Sequence, residues 1–380
     1  MKDIDICRGC VFDLKKYVPG KSEGEVKEEF GLDRVIKLAS NENPFGPSNK
    51  AIEAIKEQSQ RASFYPDGSY RKLKEKIAGQ LSISSDCIAF GSGSDEVIKL
   101  LGETFLNPND EIITADITFP VYKHVATLMN ANTVQVPLNS YKHDLEAMAD
   151  KITDRTKMIF ICNPNNPTGT IVTQTEVDEF MKKVPDNVLV VFDEAYVEYV
   201  ESQECPNTLD MFKNDDNDNI ILLRTFSKIH GLAGLRIGYG IAAPEIIELI
   251  EKVRQPFNVN ALAHEAALAS LEDHDHIKMS QAENIKEKKF LKEKLKEYGF
   301  TALDTQANFL FVKAPYCDME LFEDLMKRGI IMRPGTLLGM PGYFRLTIGK
   351  EEDNRFLCEK IEEILEEREI DKENLDAINE

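Results

Sequence analysis

The chain has no apolar run long enough to cross a bilayer. Its longest strong stretches, Val188 to Phe192 and Ile220 to Leu223, fall far short of the ~18 residues that a span needs. Its first residues, Met1-Lys-Asp-Ile-Asp5, carry charge where a signal peptide would carry an apolar core. Positive charge is scarce: Lys and Arg total 46 against 66 Asp and Glu, a net charge of −20. Such a surface repels phosphate backbones and anionic lipid, so neither nucleic acid nor a membrane is expected as a partner, and the setting expected is cytoplasmic. Cysteines are few and odd in number, at 7, 10, 87, 162, 205, 317 and 358. Most lie in apolar stretches, which favours buried free thiols in a reducing compartment. Cys7-Arg-Gly-Cys10 has redox or zinc spacing, yet no second CxxC and no HxxxH completes a ligand set, so no metal is expected. Internal repeats and low-complexity tracts are also lacking.

What is present is an ordinary globular balance, with 42% hydrophobic and 29% charged residues among 380. That length builds a sizeable core without disulfides or metals. Strands are expected at Cys87–Phe90, Glu111–Thr114, Thr133–Val136, Met158–Cys162, Val188–Phe192, Ile220–Leu223 and Ile237–Ala242. Between them lie amphipathic stretches such as Asp95–Phe105, where Val97, Ile98, Leu101 and Phe105 share a face, and Glu176–Val184. Continuous apolar strands alternating with helices predict an α/β fold with a mostly parallel seven-stranded sheet between helices. Further on, Glu283–Tyr298 predicts a long exposed helix. Strands at Phe309–Val312, Ile330–Met332 and Phe344–Ile348, with helices near Met319–Arg328 and Glu351–Arg368, predict a smaller α+β C-terminal domain. The division expected is an N-terminal arm over 1–40, a large domain over 41–260 and a small domain over 261–380, with a fraying acidic tail from Glu366.

Four motifs carry chemistry. Gly91-Ser-Gly-Ser-Asp95 leaves a strand and opens a helix, so its N–H groups suit a phosphate, although a plain capped helix start explains it equally. Cys162-Asn-Pro-Asn-Asn-Pro-Thr-Gly169 fixes a rigid turn with adjacent amides at a strand's carboxyl end, where open α/β sheets hold ligands. Asp193, in Phe192-Asp-Glu-Ala-Tyr196, is either a helix cap or a buried anion with a positive partner. Tyr196 projects to a similar level, so acid and phenol can address two sides of one ring. Thr225-Phe-Ser-Lys228-Ile-His-Gly-Leu-Ala-Gly-Leu-Arg236 brings hydroxyls, a lysine and an arginine out of the sheet together. A serine hydrolase is excluded, because there is no GxSxG and Thr225 stands where an S-x-x-K motif needs serine. Lys228 lies among Phe226, Ile229 and Leu232 and near Arg236. Desolvation and like charge there disfavour its ammonium, the condition of a Schiff-base lysine. Together these parts suit pyridoxal 5′-phosphate, which needs a lysine, an anion at its ring nitrogen, donors at its ring oxygen and a phosphate cradle.

At these residues the sequence resembles the fold-type I aminotransferases, and specifically the histidinol-phosphate aminotransferase family. The matching runs are Leu38-Ala-Ser-Asn-Glu-Asn-Pro-Phe-Gly-Pro-Ser48, Tyr65-Pro-Asp-Gly68, Gly93-Ser-Asp-Glu96, Asn163 to Gly169, Asp193 to Tyr196, Lys228 to Arg236 and Phe344-Arg-Leu-Thr347. The resemblance implies a PLP-dependent transferase fold of type I, with Lys228 as the catalytic residue that holds the cofactor's aldehyde and then shuttles the substrate's proton. It implies that Asp193 pairs with the ring nitrogen, that Tyr196 and Asn166 hold the ring oxygen, and that Phe119 stacks on the ring, where many relatives have Tyr. Ser94, Asp95, Thr225, Ser227 and Arg236 would hold the phosphate. Tyr65 would reach the cofactor phosphate of a second subunit, which implies a homodimer with shared active sites. Arg345 would fork onto the substrate's anion, with Tyr17, Asn43 and Arg333 nearby. His230 departs from the aromatic or small residue that relatives carry.

The reaction so implied moves an amino group between the glutamate/2-oxoglutarate pair and a phosphorylated amino alcohol, L-histidinol phosphate, in histidine biosynthesis. Arg345 must then accept a carboxylate and a phosphate ester in turn, and a planar guanidinium fork suits both. An aromatic amino-acid aminotransferase and a threonine-phosphate decarboxylase of the same fold are the rival enzymes. A PLP-binding transcription regulator would need a winged-helix domain; the arm before Asn41 is too short for one, and −20 opposes DNA.

Overall fold

The computed structural model describes residues 6–16, 20–214 and 218–368. Its central sheet is built from β1 (Ile88–Gly91), β2 (Glu111–Ala115), β3 (Asn132–Val136), β4 (Thr156–Cys162), β5 (Leu189–Asp193), β6 (Ile220–Thr225) and β7 (Gly238–Ile241). The seven strands lie in the order β1-β7-β6-β5-β4-β2-β3. From β6 across to β3 neighbours run parallel, while β7 is antiparallel to both β6 and β1. The exception has a local cause. No α-helix lies between β6 and β7, only the loop 226–237 with one short 3₁₀ turn. Without a crossover helix the chain turns straight back along its neighbour.

The apolar strands are continuous because both faces are covered. Along β5 and β6, Val190, Phe192, Ile220 and Leu222 enter one core, and Val191, Ile221 and Leu223 enter the other. That is the period of two expected of a strand, with each buried side chain contributing about 1.5–3 kcal/mol. The predicted helix after β1 forms as Ser94–Phe105, burying Val97, Ile98 and Leu101. Phe105 is only partly buried.

A second sheet, β8 (Thr301–Ala302), β9 (Phe309–Lys313), β10 (Arg333–Pro334) and β11 (Tyr343–Thr347), is antiparallel in the order β10-β11-β9-β8. The single strand expected at Ile330–Met332 is split. Ile330–Ile331 pairs with Ile36–Lys37, and the chain then turns so that Arg333 joins β11 opposite Arg345. The helix Glu23–Phe30, opened by a Ser22/Glu25 capping box and closed by Gly31 at φ 65°, packs on this side through Val26, Val35, Met326 and Ile331. Residues 22–38 of the arm therefore lie against the C-terminal unit. Ala263, Ala266, Ala267 and Leu271 belong to the larger core, and Leu291 and Leu295 to the smaller one.

The long helix departs from expectation. It spans His274–Glu297, 24 residues, and buries Ser280, Asn284, Glu287, Lys288, Leu291 and Leu295 on one face. Most of that face is polar, which hides it from a hydrophobic pattern. Its two charged residues are paired with distant segments: Asn354 Nδ2 donates to Glu287 Oε2 at 2.9 Å, and Lys288 pairs with Glu201. All seven cysteines are free; Cys10, Cys87, Cys162 and Cys358 are buried, whereas Cys7 and Cys317 are exposed. Among the described residues no helix is long and apolar enough to cross a membrane.

Candidate active site

A cavity of about 580 Å³ opens where the carboxyl ends of β4, β5 and β6 face β10, β11 and the segment 37–42. It is the place where an open α/β sheet leaves polar ends uncovered.

One wall is a cradle for an anion. Gly93 caps the helix Ser94–Phe105 with φ 82°, and a Cβ there would sit 2.2 Å from Arg236 Nη2. The positive φ favours glycine, and a side chain there would displace the guanidinium. Arg236, itself left-handed at φ 57°, points Nη1 at Ser227 Oγ (3.4 Å) and Nη2 at Asp95 Oδ2 (3.4 Å). Nη1 also donates to the Ala233 carbonyl at 3.2 Å. Thr225 Oγ1 accepts from the Ser227 N–H at 3.1 Å. The first-turn N–H groups of Ser94 and Asp95 have no carbonyl partner within their own helix, which with the helix dipole makes this a phosphate-type site.

The floor is Asp193, the last residue of β5 and 3% exposed. Its Oδ2 accepts from the Tyr122 hydroxyl at 2.6 Å and its Oδ1 from the Ala195 N–H at 3.3 Å. Burial lifts its pKa to about 6, against the Tyr122 hydrogen bond, which lowers it. No lysine or arginine among the described residues forms an ion pair with it. Asp193 is not the cap of a helix: the 3₁₀ turn that follows, Val197–Tyr199, has Tyr196 at its cap position. The helix-cap alternative is therefore not the one observed; the carboxyl is buried with no protein cation paired to it among the described residues. Tyr122 stacks on Phe160 at 4.6 Å and meets the edge of Phe119, which lines the cavity, at 5.7 Å.

The adjacent asparagines of the β4 turn divide their work. Asn165 is 1% exposed and fully engaged, accepting from Thr118 Oγ1 (2.8 Å) and bonded to His143 Nε2 (3.2 Å), while donating to the Ile117 carbonyl (3.1 Å) and Thr168 Oγ1 (2.9 Å). It pins the turn. Asn166 faces the cavity, where its Oδ1 accepts from Arg345 Nη1 at 2.5 Å. A guanidinium only donates, so the amide oxygen of Asn166 faces Arg345 and its NH₂ is left as the donor to the cavity.

Lys228 lies in the loop after β6, its Nζ donating to the Ser40 carbonyl at 3.2 Å and standing 5.5 Å from the Tyr196 ring centre. Burial, and then repulsion from Arg345, pull its pKa down to about 8. Tyr196 packs edge-on against Phe309 at 5.2 Å, and its hydroxyl accepts from Asn41 Nδ2 at 3.0 Å. Arg345, 8% exposed, also donates to the Ala39 carbonyl at 2.6 Å and lies 5.6 Å from the Phe309 ring centre. Across the ladder it faces Arg333. Lys21 and Lys37 add two more cations to this end, with Lys37 donating to Glu42 at 2.7 Å.

Of the described residues expected at the site, all but two line this one cavity. Tyr65 stands outside it, 82% exposed and stacked on Phe257 at 4.7 Å. Asn43, expected beside the substrate, is turned away: its Nδ2 donates to the Ile229 carbonyl (2.8 Å) and Ser280 Oγ (3.1 Å), so it braces the Lys228 loop from behind. Tyr17 lies outside the described residues. His230 is buried against Phe226 at 4.7 Å, away from the cavity lining, and burial draws its pKa down to about 4. Tyr122, Asn41, Lys21, Lys37 and Glu42 escaped the sequence reading. Tyr122 had a signal, one helical turn after Phe119; Asn41 shared the Ser40–Asn43 run with the residue chosen instead.

Known proteins share this sequence and fold. The family model "Aminotransferase class I and II" matches residues 33–361. The histidinol-phosphate aminotransferase of Moorella thermoacetica is 46% identical over 94% of this chain and 93% of its own. That of Caldicellulosiruptor saccharolyticus is 44% identical over 94% and 99%. Among solved structures, the histidinol-phosphate aminotransferase of Sinorhizobium meliloti in complex with pyridoxal 5′-phosphate superposes with a TM-score of 0.85 at 24% identity, covering 96% of this chain and 99% of that one.

Proposed function

The chain belongs to the class I and II aminotransferases, and from that premise we propose that it moves an amino group between L-histidinol phosphate and 2-oxoglutarate on pyridoxal 5′-phosphate. It is a transaminase, and its cavity fits that cofactor at each polar atom. The helix start at Ser94 with Arg236 suits the phosphate. Asp193, buried without a protein cation, suits the ring nitrogen; Tyr196 and the Asn166 amide suit the ring oxygen; Lys228 suits the aldehyde.

When bound, the cofactor supplies an electron-withdrawing ring that acidifies the substrate's C–H beside nitrogen. The chain supplies the rest. Asp193, held by Tyr122, would stand as the counter-charge of the ring nitrogen and so sustain that withdrawal. Phe119 would cover the ring face, and Asn166 and Tyr196 would donate to its oxygen. Lys228 would hold the cofactor's aldehyde, and its amine is placed to take the proton from the substrate carbon and return it. Its pKa near 8 leaves a useful neutral fraction at neutral pH. Arg345 takes the substrate's anion bidentately, a carboxylate in one half-reaction and a phosphate ester in the other, with Arg333 as second cation.

The observation that carries this reading is the pairing of Arg333 with Arg345 above Lys228, in a chain 46% identical to a histidinol-phosphate aminotransferase. A homodimer belongs to the same proposal. What supports it is an uncovered aromatic cluster of Phe64, Tyr65 and Phe257, 68%, 82% and 42% exposed, of the kind that marks an interface. A cytoplasmic setting accords with the free thiols. The test is formation of glutamate from 2-oxoglutarate with histidinol phosphate, phenylalanine or phosphothreonine as donor. Histidinol phosphate should give the highest kcat/KM. A preference for phenylalanine would make the protein an aromatic aminotransferase, and carbon dioxide released from phosphothreonine would make it a decarboxylase.

A further inference from the structure

Three consecutive residues of the N-terminal segment each touch a different working side chain. The Ala39 carbonyl accepts from Arg345, the Ser40 carbonyl from Lys228, and Asn41 Nδ2 donates to the Tyr196 hydroxyl. The third contact differs in kind, because a phenol can either give or take a hydrogen bond, and its partner decides which.

Asn41 leaves no such choice. It is 1% exposed and left-handed at φ 56°. Its backbone N–H donates to Thr347 Oγ1 at 2.9 Å, Thr347 Oγ1 donates back to Asn41 Oδ1 at 3.2 Å, and Asn308 Nδ2 donates to the Asn41 carbonyl at 3.0 Å. Flipping the amide would make Thr347 accept twice and leave its own proton without an acceptor at a residue 3% exposed. Oδ1 therefore faces Thr347 and Nδ2 faces Tyr196. With its oxygen accepting from Asn41, the phenol sends its proton the other way, into the cavity shared with Asn166 and Lys228.

We propose that Asn41 is a positioning residue that fixes Tyr196 as a hydrogen-bond donor toward the cofactor's ring oxygen and thereby lowers the basicity of the lysine–cofactor linkage. This rests on the cofactor reading above. A donor at the ring oxygen stabilises its anionic form, and the neighbouring linkage nitrogen then holds a proton less tightly. The N-terminal segment thus acts on the cofactor without touching it, through one amide.

The test is a pH titration of the long-wavelength absorbance of the holoenzyme, which reports the linkage pKa directly. Asn41→Asp keeps the left-handed backbone, which Asp tolerates, but replaces the donor by an acceptor that draws Tyr196's proton away. The linkage pKa should rise by about one unit. Asn41→Gly also keeps the backbone and removes the amide, and should give a smaller rise of the same sign. Because an added carboxylate raises the pKa through charge alone, both substitutions are repeated in Tyr196→Phe, where the Asn41→Gly effect should largely vanish and the Asn41→Asp effect should shrink to the part due to charge. An Asn41→Asp shift of equal size in Tyr196→Phe, or an unchanged pKa in Asn41→Gly, would overturn the proposal. A wild-type protein that shows no such band with added pyridoxal 5′-phosphate would overturn the cofactor reading instead.

Discussion

The two ends of the cavity are built differently. At the cofactor end, Asp193, Thr225 and the Asn165–Asn166 turn leave the sheet from adjacent strands, and Asp193 and Asn165 are each held by hydrogen bonds in the protein interior. At the substrate end the cations come from β10, β11 and the N-terminal segment, and Lys37 and Arg333 are only partly covered. On the proposed function the first end would present fixed charges to one ring, which rigid strand ends serve. The second would accept two unlike anions in turn, and side chains drawn from separate segments leave it room to adjust.

If that contrast is right, damage at the cofactor end should appear in kcat and damage at the substrate end in KM. Lys228→Ala should be most severe, lowering turnover by at least about 10²–10⁴-fold in steady-state assays while still permitting noncovalent cofactor binding. Asp193→Asn should follow with about 10²–10³-fold, because the counter-charge of the ring nitrogen is lost; near-normal turnover would reduce Asp193 to a structural residue. Tyr122→Phe should cost about tenfold in kcat. It removes the hydrogen bond that opposes burial, so Asp193 in the cofactor-free protein should titrate above its present value of about 6, detectable by NMR of the labelled carboxyl. Arg333→Ala should have the smallest effect, a several-fold rise in KM that is larger for histidinol phosphate than for glutamate, because a dianion depends more on the second cation. A fall in kcat with KM intact there would break the comparison.

The comparison also has a pH signature. In cofactor-free protein the depressed pKa of Lys228 means that the neutral amine, the form that attacks an aldehyde, accumulates as pH rises toward about 8. The rate of reconstitution with cofactor should climb over that range and level off above it. A rate still climbing toward the ordinary lysine pKa would place the amine in a solvated setting.

The cofactor end was the more legible of the two in the sequence, for a physical reason. Its residues follow buried strands whose continuous apolar runs announce themselves, so Asp193, Thr225 and Lys228 are located by what precedes them. Tyr122 was not, because its partner lies 71 residues away and no local pattern carries that contact. At the substrate end the two-residue strand Arg333–Pro334 is too short to show a period, and its neighbour Ile330–Ile331 pairs with the N-terminal segment instead. The choice between Asn41 and Asn43 is likewise invisible in composition, since it depends on the left-handed turn at Asn41. The buried face of the long helix His274–Glu297 does not show in a hydrophobic pattern because it carries Glu287 and Lys288, whose partners come from distant segments.

All of these effects presuppose that chemistry is centred on Lys228. Reducing the holoenzyme with borohydride and mapping its peptides tests that directly, because it turns a reversible linkage into a stable mark on one side chain. The account predicts the pyridoxyl group on Lys228 and on no other lysine. A label on another lysine, or none at all in a protein that turns over histidinol phosphate, would contradict it.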